Sequence, residues 1–171
     1  DLFNRGRIDA AEKQARTASA WDANSPDIHE TVGLILNAAG KPAEAAAELW
    51  RAARLRPTDA TLAFNAALAF AGAGKIPDAE LALRETLTRS PRHDRAWYNL
   101  GLLLVQTNRT TEGLRALSEA ETIAPKIADY PYARATVLWQ QGDRAGAKAA
   151  AEQALRLDPN HAGAGQLARQ R

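Results

Sequence analysis

The chain has 171 residues and no cysteine, enough length to bury a core without disulfides and no thiolate for a nucleophile, zinc ribbon or iron–sulfur cluster. Its 22 basic and 20 acidic side chains leave a net charge of +2, a weak field for non-specific nucleic-acid binding, which needs a concentrated basic surface. No apolar run is long enough to cross a bilayer, and the abundance of Ala, Leu and Arg over β-branched and aromatic residues favours an all-helical chain.

Residues 1–25 read as the end of one helix, a break at Gly6, and a complete second helix carrying Ala11, Ala15 and Ala18. Ala23 and Pro26 then make an altered linker. Residues 26–59 read as two helices parted at Gly40 and closed by Pro57, with Val32, Gly33 and Leu36 on the first and Ala45, Leu49 and Ala52 on the second. Residues 60–93 repeat the pattern with Ala66, Ala67 and Phe70, a break at Gly74, then Ala79, Leu83, Thr86 and Pro91. Residues 94–127 carry Trp97, Leu100, Gly101 and Leu104, a break at Asn108, then Gly113, Leu117, Ala120 and Pro125. Residues 128–161 carry Ala135 and Leu138, a break at Gly142, then Ala147, Ala151, Ala154 and Pro159. In that last segment Pro131 falls in the first turn near Asp129 and shifts the helix start. Arg134 takes an apolar register there, with its stem buried and its head reaching water. Residues 162–171 begin a further helix.

The step is constant. Pro57, Pro91, Pro125 and Pro159 stand 34 residues apart, as do Gly33, Ala67, Gly101 and Ala135, and Gly40, Gly74, Asn108 and Gly142. Gly or Asn at the last register suits the left-handed residue that ends a helix. The acids Asp9, Glu44, Asp78 and Glu112 follow it, in the first turn of the next helix, where they complement the helix dipole. The prolines close each second helix. Small residues let the two helices approach, and Leu36, Phe70, Leu104 and Leu138 fill the groove beside them.

A 34-residue helix–turn–helix unit with Trp97, Leu100, Gly101, Leu104, Gly113, Leu117, Ala120 and Pro125 in order resembles the tetratricopeptide repeat. The resemblance implies an all-α fold, a right-handed α-α superhelical solenoid. Residues 1–171 would form a single domain with a partial repeat (1–25), four full repeats (26–59, 60–93, 94–127, 128–161) and the start of a capping helix (162–171). A stack of that kind leaves an inner wall built from the first helix of each pair. Carried over position by position, the resemblance places on that wall Phe64, Asn65, Leu68, Arg95, Tyr98, Asn99, Leu102, Tyr132, Thr136 and Trp139. Phe64, Tyr98 and Tyr132 make an aromatic ladder, and Asn65 and Asn99 offer amides to a peptide backbone. The clamp with which some members grip a chaperone's terminal carboxylate is not expected, because Glu30 and Leu34 stand where it needs Lys and Asn. Trp97 matches the structural tryptophan of the repeat, and Trp50 and Trp21 are expected to pack between repeats.

Nothing in the pattern suggests catalysis, a metal or a cofactor. His29, His93 and His161 are read as solvated loop residues, and no serine has a glycine-flanked elbow or an evident base. Arg51, Arg54, Arg56, Arg84, Arg89 and Arg92 form a basic stretch on the second helices, diluted by Glu44, Glu48, Glu80 and Glu85 and read as a solvated face. The expected function is therefore a protein–protein interaction scaffold that holds a peptide or helical segment of a partner, with no nucleic acid and no enzyme activity in this segment. The alternative is a structural or self-associating spacer, or the regulatory part of a longer polypeptide. Asp1–Arg7 lacks an initiator Met and a signal-peptide core, so the sequence reads as an excised piece. Seventeen Arg against five Lys suggest a bacterial source.

Overall fold

The computed structural model describes residues 2–170, with the side chains of Leu2–Arg5, Ile8, Ser19 and Ala20 set aside. Among the described residues there are helices and turns and no strand. Backbone contacts gather into two compact units, Asp1–Pro91 and Arg92–Arg171. The first holds α1 (Leu2–Trp21), α2 (Pro26–Ala38), α3 (Pro42–Leu55), α4 (Ala60–Gly72) and α5 (Ile76–Arg89). The second holds α6 (Asp94–Gln106), α7 (Thr110–Ile123), α8 (Asp129–Gln140), α9 (Arg144–Leu157) and α10 (Ala162–Arg169). In each unit, helices adjacent in sequence are the principal packing partners.

The expected helix breaks fall at Gly40, Gly74, Asn108 and Gly142, all with φ between 62 and 82°. Each sits in the same hydrogen-bonded turn. The amide after it returns to the carbonyl of Leu36, Phe70, Leu104 or Leu138, at 2.9, 2.9, 2.8 and 3.0 Å. One register thus supplies both a large apolar side chain and the carbonyl that closes the turn. Gly6 shares the register but not the role, because α1 runs through it without interruption. In the other repeats the two helices packed across the turn hold it. Glycine only permits the break, and inside a helix it costs about 1 kcal/mol relative to alanine.

Helix starts follow a register absent from the sequence reading. Ser25, Asp59, His93 and His161 are N-caps whose side chains accept from Ile28, Thr61, Ala96 and Ala164 N–H groups. His93 and His161 are therefore capping groups and not solvated loop residues. Ile127 occupies the register before α8 and cannot cap, and that helix begins at Asp129 with Pro131 in its first turn.

His29 also departs from expectation. It lies inside α2 with no exposed surface, Nδ1 2.6 Å from Glu48 Oε2 and Nε2 3.0 Å from the Ala23 carbonyl. A carbonyl can only accept, so Nε2 carries a proton. Arg51 donates to the same carbonyl at 3.0 Å, which ties the altered linker to α3. Glu12 on α1 takes the Lys41 ammonium at 2.8 Å and the Arg16 guanidinium at 3.0 Å. Those two hydrogen bonds, Lys41 first, hold its carboxyl below the usual range. Trp21, expected to pack between repeats, is instead 88% exposed at the end of α1. Trp50 does pack there, edge-on to Phe70 at 6.3 Å and against the Ala52, Ala53, Leu62 and Ala63 cluster, while Trp97 is half-buried.

The paired helices meet where the small residues lie. A Cβ on Gly33 would stand 2.6 Å from Leu49 Cγ and 3.1 Å from the Ala45 carbonyl oxygen; on Gly101, 2.8 Å from Leu117 Cγ and 3.0 Å from the Gly113 carbonyl oxygen. Arg89, read as part of the basic face, does structural work. Its side chain is 8% exposed and pairs with Glu85. Its Nη1 donates to the Ala53 and Asp59 carbonyls at 3.1 and 3.0 Å, joining the end of α3 to the start of α4.

Substitutions at three positions check this packing. Gly101→Ala should lower the unfolding free energy by about 1–3 kcal/mol, because a backbone oxygen blocks the new methyl. Gly72→Ala, whose Cβ would meet only Pro42 at 3.9 Å, should be neutral or gain up to about 1 kcal/mol. Arg89→Ala should cost about 2–4 kcal/mol in urea denaturation, with Arg89→Lys recovering only part, because an ammonium lacks the planar fork.

Candidate protein-binding surface

The first helices of the pairs, α2, α4, α6, α8 and α10, carry the residues expected to form a binding wall. In the first unit, Phe64 corrects that expectation. It is 4% exposed, so its ring belongs to the packing and offers no face to a partner. Asn65 is half-buried. Leu68 is 38% exposed, and Leu34 in the same register of α2 is 51% exposed.

In the second unit, Arg95 is exposed and Leu102 is 38% exposed. Tyr98 is half-buried, its ring 5.1 Å from that of Tyr130 and packed against Leu117, Ala133 and Val137. Burial, then the charge of Asp129 and the neighbouring Tyr132, push its phenol above the ordinary range. Asn99 donates to the Arg95 carbonyl of its own helix at 2.7 Å. Tyr132 is half-buried, with its ring 4.4 Å from that of His161. A Cβ on Gly163 would fall 2.5 Å from Tyr132 Cζ, so glycine there lets α10 seat on the ring. Thr136 donates to the Tyr132 carbonyl at 3.0 Å. Trp139 lies under the Arg144 guanidinium, 3.6 Å from the ring centroid.

The aromatic residues of the wall are thus engaged in packing to different degrees, and the ninth register contributes its exposed apolar side chains: Leu34, Leu68 and Leu102. Tyr130 was not anticipated. It is 4% exposed, and its hydroxyl donates to Asp94 Oδ2 at 2.5 Å. Burial, followed by that hydrogen bond to a carboxylate, raises its phenol strongly. The signal was present, because the same register holds Leu62, Ala96 and Ala164, all buried. A tyrosine placed there must bury its ring and find a partner for its oxygen.

The basic stretch is answered largely from within the chain. Arg56 pairs with Asp27 at 2.8 Å and Arg84 with Glu80 at 2.8 Å, while Arg51 and Arg89 hold backbone carbonyls. Arg134 keeps its stem in the packing as expected, but its head pairs with Glu121 at 3.1 Å and Gln153 at 3.1 Å. Among the described residues no group of three His, Asp or Glu side chains is placed to hold a metal, and no helix is long and apolar enough to cross a membrane.

Helix hairpins in a fixed 34-residue step, with exposed apolar side chains recurring on their first helices, define a helical-repeat interaction scaffold. The sequence profile of the tetratricopeptide repeat matches residues 1–60, 64–126 and 132–161. The chain belongs to the tetratricopeptide repeat family, and its fold class is the all-α helical-repeat solenoid. Among solved structures it is similar to MamA, at 19% identity and a TM-score of 0.84, covering 93% of each chain. It is also similar to YrrB, described as a TPR protein with an unusual peptide-binding site, at 16% identity and a TM-score of 0.83, covering 99% of this chain and 87% of that one. The Pseudomonas aeruginosa protein pilF gives 18% identity and a TM-score of 0.75 over 96% and 75% of the two chains. No curated protein sequence matches the chain.

Tyr130→Phe should destabilise the protein by about 1–2 kcal/mol, because Asp94 loses its donor while the ring stays in place. Thermal unfolding measures the loss, and the near-ultraviolet circular dichroism of the tyrosines reports any release of the Tyr98 ring.

Proposed function

We propose that the exposed first-helix faces of each unit bind a peptide or helical segment of a partner protein, within a larger bacterial assembly, and that this segment acts by holding and not by catalysis. The observation that carries the reading is the ninth register, where Leu34, Leu68 and Leu102 are 51, 38 and 38% exposed. Repetition of one large apolar residue at one register, left open to solvent, is what an extended partner can use; isolated surface leucines need no explanation. The backbone likeness to a peptide-binding tetratricopeptide protein supports the same reading. A protein partner also fits better than nucleic acid, because Arg51, Arg56, Arg84 and Arg89 are occupied within the chain.

The half-burial of Tyr98 and Tyr132 makes their truncation a poor test, since folding and binding would fail together. Leu68→Glu with Leu102→Glu is cleaner, because exposed positions tolerate substitution within about 0.5–1 kcal/mol. Affinity capture from the native extract should lose its specific partner with the double variant while the melting temperature stays within a few degrees. Retained capture would refute the surface. Sedimentation of the wild-type chain separates a foreign partner from a second copy: a mass that rises with concentration, and no longer does in the double variant, assigns the leucines to self-association.

A further inference from the structure

The repeats provide an internal comparison for one charge. In the first full repeat the acid at the second register, Asp27, is answered inside the chain, with Arg56 Nη2 2.8 Å from its Oδ1. The fourth full repeat keeps the acid as Asp129 but loses the cation, because Asp158 stands in the register of Arg56. The Asp158 carboxylate accepts the Asn160 N–H at 3.0 Å and adds a second negative charge. Asp129 is 72% exposed, and among the described residues its partner is His161, whose Nε2 lies 3.2 Å from Oδ1. His161 Nδ1 accepts the Ala164 N–H at 3.2 Å. Acceptance there leaves Nε2 as the ring nitrogen that faces Asp129. The same ring thus caps α10 and orients the Asp129 carboxylate.

Aromatic surface borders this carboxylate. The Tyr132 ring lies against the His161 ring that Asp129 accepts from, and after burial the Asp129 charge contributes to raising the Tyr98 phenol. An exposed carboxylate attracts a planar cation by ion pairing, and the His161–Tyr132 ring pair that it accepts from offers an aromatic surface next to it. We infer that the partner segment supplies an arginine side chain to Asp129, taking the place that Arg56 fills at Asp27. Arg95 sets a positive charge on α6 of the same unit, so a uniformly basic segment is disfavoured. One basic residue flanked by apolar ones is the better fit, with the apolar side chains meeting Leu102. This rests on the binding surface proposed above and names the chemistry of its occupant.

The test uses the full chain labelled with nitrogen-15 and two probes, acetyl-Leu-Arg-Leu-amide and the same tripeptide with citrulline, which keeps the shape and removes the charge. The arginine probe should shift the amides of Tyr98, Asp129 and Tyr132 and bind about threefold more tightly than the citrulline probe. That preference should vanish in Asp129→Asn, survive in Asp27→Asn, and shrink when salt is raised to about 0.5 M. Equal binding of the two probes at these residues, or a preference that persists in Asp129→Asn, overturns the inference and leaves the binding surface standing. Failure of both probes to perturb α6 and α8 overturns the two together.

Discussion

The close approach of two helix backbones across each turn is the constraint on which the rest depends. Where Gly33 faces Leu49 and Ala45, and Gly101 faces Leu117 and Gly113, a single added methyl would meet side-chain or backbone atoms at 2.6–3.1 Å. That closeness is available only to residues with little or no side chain, which is why alanine and glycine dominate the buried positions. It draws little hydrophobic free energy from any one residue. The large buried side chains Leu36, Leu62, Leu100 and Leu117 supply it, set beside the small ones.

Given that spacing, the ends of the helices must be settled locally, and two repeating devices do so. The left-handed residue with its returning amide closes the first helix of each pair, and a side-chain cap at Ser25, Asp59, His93 or His161 opens the first helix of the following pair. Their coincidence with the apolar registers means that one substitution can disturb both packing and turn, as at Phe70, whose side chain is buried while its carbonyl receives the Lys75 amide. Where a device is missing, the structure compensates by other means. The start of α8 lacks a side-chain cap and is held by Tyr130, whose ring and hydroxyl reach Tyr98 and Asp94.

The surface that remains follows from the same geometry. Leu62, Ala96, Tyr130 and Ala164 point into the packing, Phe64, Tyr98 and Tyr132 divide between burial and partial exposure, and Leu34, Leu68 and Leu102 reach solvent. Of these aromatics, Tyr98 and Tyr132 join helices of the second unit through Tyr130 and His161, while Phe64 is buried. Arg51, Arg56, Arg84 and Arg89 are engaged in internal pairs and carbonyls, whereas Asp129 has His161 in place of an arginine because its register partner changed sign. Function in such a scaffold lies in these departures from the repeat, since the repeating positions are committed to holding the helices together.

The period, the helix pairs, the turn at Gly40, Gly74, Asn108 and Gly142 and the family were all legible in the linear order, because each depends on residue type at a fixed local spacing. Length and composition carried the all-helical class for the same reason. Burial was not legible at that level. His29 looks like any polar residue until Glu48 and the Ala23 carbonyl close on it, and Arg89 looks like surface charge until two carbonyls from other segments meet its guanidinium. Phe64 and Tyr98 share a register and chemistry yet differ in exposure, and Gly6 shares a register with three helix-ending glycines yet lies within a helix. Those outcomes are decided by which atoms from distant segments occupy the neighbouring volume, a quantity that exists only once the helices have packed.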